Sequence, residues 1–204
     1  MISLEETVTI YRQRLYDISW LMRHLNEYIA REANKEDSCT GRFWEGLFKS
    51  QALLDECAVL ACMAYVDLNP IRAKMDTTSE TSKHTSIHAL IKGEQPRNLM
   101  RFVGNHRQDM PKGIAYSLID YCELVDCTGR CIREDKAGYI EHHHSPILAR
   151  LGLNTEQWLT FTTEFKQHFS TAVGSEHMLQ QFKHHTQHKR ARGMAKARAL
   201  LQQA

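Results

Sequence analysis

From Tyr11 through Leu15, Ile18, Met22, Leu25 and Ile29 the apolar residues step alternately by four and three, which stacks them on one face of a helix. The spacing predicts a single helix that runs out near Asn34. The polar stretch 35 to 41, ending in Gly41, reads as the loop that follows. A wide apolar stripe over Leu53, Leu54, Cys57, Leu60, Ala61, Ala64, Tyr65 and Leu68 predicts a second helix from about Gln51 to Leu68. Asn69 ends it, because a proline ring clashes with helical backbone at the residue before it, and Pro70 opens the next turn.

Residues 76 to 86 are the one internal stretch of low apolarity, and a soft boundary is placed there or slightly later. Beyond a second weak point at Gly104 to Gly113, Ile114, Leu118, Tyr121, Cys122 and Val125 predict an amphipathic helix closed by Gly129. Asn154 with Gln157 forms a capping-box pattern ahead of Trp158, Phe161, Phe165, Phe169 and Val173, with Gly174 as the stop. Ser175 is a cap for a further helix running into the C-terminal tail. No segment alternates convincingly enough for a strand. The expectation is a mainly α protein, bundle-like, with two small helical subdomains over 1–92 and 93–204 and no substantial sheet.

Composition narrows the class. Apolar residues make up 42% and charged residues 25% of 204 residues, with 10 glycines and 4 prolines, as in packed globular proteins. No apolar run is long enough for a membrane span, and Glu5 and Glu6 stand where a signal peptide would be basic. A cytoplasmic protein is expected, with its 6 cysteines reduced and serving as small buried apolar groups.

The net charge of +2 conceals a polarity. Lys183, Lys189, Arg190, Arg192, Lys196 and Arg198 follow the last acidic residue, Glu176, so residues 183–204 carry +6 and the remainder −4. That tail would attract a polyanion.

Several groups could carry chemistry. Gly41-Arg42-Phe43-Trp44-Glu45-Gly46-Leu47-Phe48-Lys49-Ser50 sets three aromatic rings between glycines with cations at its edges. Rings stack on unpaired bases and cations hold phosphates, although the same rings could plug a core. Tyr28, one turn from His24 and from Glu32, is the candidate nucleophile; its hydroxyl needs a base or metal nearby, and His24 is the local candidate. Cys122, Cys127 and Cys131 with His142, His143 and His144 lack the spacing of a zinc knuckle, and no metal site is assigned. His184, His185 and His188 read as a solvated basic face. No nucleophile elbow, phosphate-binding glycine loop or His-Glu-x-x-His occurs.

Leu25 to Arg31, Asn34, Gly41 to Ser50, and Ala64-Tyr65-Val66-Asp67-Leu68-Asn69-Pro70-Ile71-Arg72-Ala73 stand in the order and at the distances found in one family. The chain resembles the HUH single-tyrosine transposases, particularly those associated with repetitive extragenic palindromes. The likeness is strong over about residues 15 to 90, and Thr85-Ser86-Ile87 also fits it.

The resemblance implies DNA transposition: a tyrosine that cuts one DNA strand, a divalent ion (Mg²⁺ or Mn²⁺) held by a His-hydrophobic-His pair, and recognition of hairpins. It places the tyrosine on the helix that holds Tyr28. It departs at Leu47, where the family usually has arginine, and in lacking the His-hydrophobic-His domain that precedes this helix. The chain alone is therefore expected to hold no cofactor and to be catalytically weak or inactive.

The implied partner is DNA, single-stranded or hairpin. Arg42 and Lys49 are expected on phosphate, Phe43 and Trp44 on bases, Arg72 behind the Asn69-Pro70 turn, and Lys189, Arg190 and Arg192 in salt-sensitive contacts. For Arg72 the bland alternative is a salt bridge to Asp67. A homodimer and a separate polypeptide carrying the missing domain both remain open as partners. The other readings are a non-catalytic DNA-binding regulator and a helical protein-interaction module.

Overall fold

The computed structural model describes residues 3–94, 100–104, 113–132, 145–186 and 193–201. It is mainly helical, and the chain divides into two compact units, Met1–Ser50 and Gln51–Ala204.

The first unit begins with helix α1, Leu4–Leu15. Its start is a reciprocal cap: Glu6 N–H donates to Ser3 Oγ at 3.2 Å, and Ser3 N–H donates to Glu6 Oε2 at 2.7 Å. The single helix expected from Tyr11 onward is in fact two. Tyr16 ends α1, and Asp17 turns extended and accepts the Ser19 N–H at 2.8 Å, opening α2, Ile18–Glu36. Apolar spacing is blind to this break because the heptad phase carries through it; the local signal was an aspartate two residues before a serine. Arg14 lies over the Trp20 ring at 4.0 Å and ties the two helices together. No described residue of this unit is buried.

The second unit holds the core. Its short parallel pair joins β1, Ala52–Leu53, to β2, Ala172–Val173, in the register Ala52↔Ala172 and Leu53↔Val173. The helix expected from Gln51 therefore starts later, as α3, Glu56–Asp67. Asp55 caps it by accepting Ala58 N–H at 2.8 Å, and its other oxygen accepts Ser175 N–H at 2.6 Å. Ala58, Ala61 and Ala64 make a fully buried strip of small side chains on α3. That strip lets α8, Thr155–Thr163, come close, with Trp158 and Phe161 completely covered. The Asn154–Gln157 capping box forms as the sequence indicates. The helix does not continue to Val173, however: it breaks at Glu164, resumes as α9, Phe165–His168, and gives way to β2.

Pro70 opens α4, Asn69–Arg72, as expected. Residues 76 to 86 are no bare linker, since Ser79 and Ser82 are buried and Thr85 caps α5, Ser86–Ile91. α6, Leu118–Ile132, runs through Gly129 instead of stopping there. A Cβ at Gly129 would lie 3.1 Å from a Leu68 methyl, so this glycine marks close packing and not a terminus. α7, Ser145–Arg150, α10, Glu176–Thr186, and α11, Met194–Leu200, complete the unit. Among the described residues, no helix is long and apolar enough to cross a membrane. The six cysteines are free thiols: Cys57 is buried, Cys39 exposed and the other four half-buried.

Candidate nucleic-acid interface

The aromatic segment follows α2 and is tied to it from several points. Asn34 Nδ2 donates to Gly41 O at 3.0 Å, and Gly41 takes φ of 132°, a conformation that favours glycine. Arg42 donates from Nε to Trp44 O at 2.7 Å and from Nη2 to Glu45 O at 2.9 Å. Trp44 Nε1 donates to the Asn26 carbonyl at 2.9 Å, eighteen residues back on α2. Phe43 and Trp44 meet edge to face, their centroids 4.9 Å apart and their planes at 89°.

The rings are neither sealed in a core nor loose in water. Phe43 is 41% exposed and Trp44 40%, and each offers ring surface on a loop whose backbone is already fixed. Lys49 is exposed beyond them, Phe48 is half-buried and Leu47 projects into solvent. Arg42 makes contacts that the sequence reading does not include. Two of its nitrogens are spent on the carbonyls of its own turn, so it acts as a staple that shapes the ring platform. Sequence spacing could not reveal this, because the partners are backbone oxygens.

Tyr28 is exposed on α2. His24, its local candidate base, lies beside the Trp20 ring, centroids 6.1 Å apart. Among the described residues no three His, Cys, Asp or Glu side chains come together to hold a metal ion. His142 to His144 lie outside those residues, as do His188, Lys189, Arg190 and Arg192. Of the tail cations that are described, Arg198 donates from Nε to Glu176 Oε2 at 2.9 Å. That hydrogen bond, with the guanidinium charge, lowers the Glu176 pKa.

Arg72 is in the second unit. Its guanidinium stacks 3.6 Å over the Tyr65 ring and donates to Tyr65 O at 2.8 Å and to Asn69 Oδ1 at 3.2 Å. It braces the turn at Pro70 through carbonyl and amide partners and not through the Asp67 carboxylate. Asp67 is buried and taken up elsewhere. Oδ1 accepts from Ser86 Oγ at 2.8 Å and Ile87 N–H at 3.2 Å, and Oδ2 accepts from the Tyr121 hydroxyl at 2.7 Å. Burial, then the Asp67 charge, push the Tyr121 pKa well above its ordinary value.

The first unit is close to neutral in charge, with seven Lys or Arg against eight Asp or Glu over residues 1–50. Any attraction of this unit for a polyanion would therefore rest on local cations and not on net charge. No protein-family model matches the chain, and neither does any curated protein or solved structure.

Proposed function

We propose that the chain is a transposase-related DNA-binding protein that takes hold of single-stranded or hairpin DNA on the Phe43–Trp44 ring pair. The observation that carries this reading is the combination of half-exposure with fixation: two rings at right angles, held by the Arg42, Asn34 and Trp44 Nε1 hydrogen bonds. A pre-set platform binds an unpaired base without a large ordering cost. Lys49 supplies a phosphate contact beside the rings, and Arg42 positions them. Among the described residues no three metal-binding side chains meet, so an Mg²⁺ or Mn²⁺ ion serving strand cleavage at Tyr28 would be held by residues outside that set. The free thiols suit a cytoplasmic protein.

The test is a titration of a fluorescent hairpin oligonucleotide with an unpaired flank, at two salt concentrations. Trp44→Ala should weaken binding about tenfold, the cost of one lost base stack, with the salt slope unchanged. Lys49→Ala should lower that slope by about one counterion. A Trp44→Ala protein that binds as well as wild type would end the proposal. Incubation with Mg²⁺ or Mn²⁺ separates a regulator from a nuclease, since cleavage lost in Tyr28→Phe would mark the latter.

A further inference from the structure

α1 presents Leu4, Val8, Tyr11 and Leu15, spaced four, three and four, which is the alternation of a coiled-coil seam. All four are exposed, Leu4 at 80% and Leu15 at 84%. α2 repeats the theme with an exposed row from Ile18 to Tyr28, spaced three, four and three. At about 100 Å² per side chain, the four α1 residues offer on the order of 400 Å² per copy, the size of a weak, readily dissociating contact. These side chains are exposed on a unit with no buried residue among those described, with only the Arg14 guanidinium over the Tyr11 ring, and an exposed apolar row of this kind marks an interaction surface.

The charges beside the seam say what fits it. α1 opens on Glu5 and Glu6 and closes on Arg12 and Arg14. Glu6 is engaged in the N-terminal cap and Arg14 over the Trp20 ring, whereas Glu5 and Arg12 flank the seam. A parallel copy would set acid beside acid and base beside base. An antiparallel copy puts Leu4 against the partner's Leu15, Val8 against the partner's Tyr11, and Glu5 beside the partner's Arg12. Seam and charges are thus both self-complementary under one two-fold rotation, the requirement of an isologous contact.

We propose that α1 pairs antiparallel with α1 of a second copy, about a two-fold axis crossing the helix between Thr9 and Ile10. The resulting dimer carries two aromatic loops.

Sedimentation equilibrium of the full chain over a range of concentrations tests this. Wild type should show twice the 23.6 kDa chain mass, falling to the single mass on dilution. Leu15→Glu should be monomeric throughout. Glu5→Arg and Arg12→Glu should each weaken association about tenfold, because two symmetry-related pairs become repulsive. The combined Glu5→Arg/Arg12→Glu chain should regain dimerisation to within about threefold of wild type. Its helix is still charged against its own dipole, so recovery can come only from pairing across the axis. A wild-type monomer at every concentration would overturn the proposal, since the seam would then be covered within the chain or by a different partner. A dimer indifferent to Leu15→Glu, or a double variant as weak as the singles, would overturn it too.

Discussion

Replacing Tyr121 by Phe removes one oxygen from the interior of the second unit and keeps the ring, including its stacking on Phe102 with centroids 5.3 Å apart. The consequence is concentrated on Asp67. Its Oδ1 keeps Ser86 and Ile87, while Oδ2 loses the Tyr121 hydroxyl 2.7 Å away. Both residues are almost completely covered, so water does not take the place of the lost donor. A hydrogen bond to a charged group is worth about 1.5–3 kcal/mol, and Tyr121→Phe should destabilise the unit by about that much. Asp67→Ala strands three donors at once and should cost about 3–5 kcal/mol.

The double variant should fall short of the sum by at least about 1 kcal/mol, because the second change removes a partner already missing. Trp158 is the only tryptophan of the second unit, so its emission in a Trp20→Phe/Trp44→Phe background reports urea unfolding there. A Tyr121→Phe loss below about 0.5 kcal/mol, or strict additivity, would refute the buried-carboxylate argument.

Asp55→Ala should cost about 2–3 kcal/mol by the same assay, since one carboxylate both caps α3 and accepts Ser175 N–H. Alkaline lability should follow from the thiols. Burial, assisted by the Asp55 charge, pushes Cys57 up to about 12, while an unfolded thiol titrates near 8.5. The unfolded chain thus loses its proton first, and the stability contribution is whole below about pH 8.5 and lost as pH climbs toward 12. Urea midpoints should drop between pH 8.5 and 10.5, less steeply in Cys57→Ala. Arg42→Ala should unfasten the loop and raise acrylamide quenching of Trp44 in a Trp20→Phe/Trp158→Phe background, and unchanged quenching would mean the two carbonyl contacts do not hold the ring.

Where a residue's partner was three or four positions away, the sequence was readable. The Asn154–Gln157 cap and the turn at Pro70 are local chemistry, and both stand as expected. The mainly helical class is equally a matter of short-range periodicity. Gly129 misled because glycine serves two ends: it terminates helices and it lets a neighbour approach, and only the position of Leu68 distinguishes them. The apolar row from Tyr11 to Ile29 reads as one face of a helix, yet periodicity reports that a face is apolar and not what covers it. Asp67 with Tyr121, 54 residues apart, and Arg42 on carbonyl oxygens left no trace in spacing.

The pairing of β1 with β2, fastened by Asp55 on the Ser175 amide 120 residues later, makes the second unit a closed ring of chain. At 5–20 residues per second, a ribosome needs roughly 6–24 s to span that interval. Until Ser175 emerges, the head of α3 holds a carboxylate with one of its two oxygens unclaimed and a strand edge with nothing beside it. A nascent chain in this interval is a natural client for chaperones, and a premature stop anywhere before β2 leaves it in that state permanently.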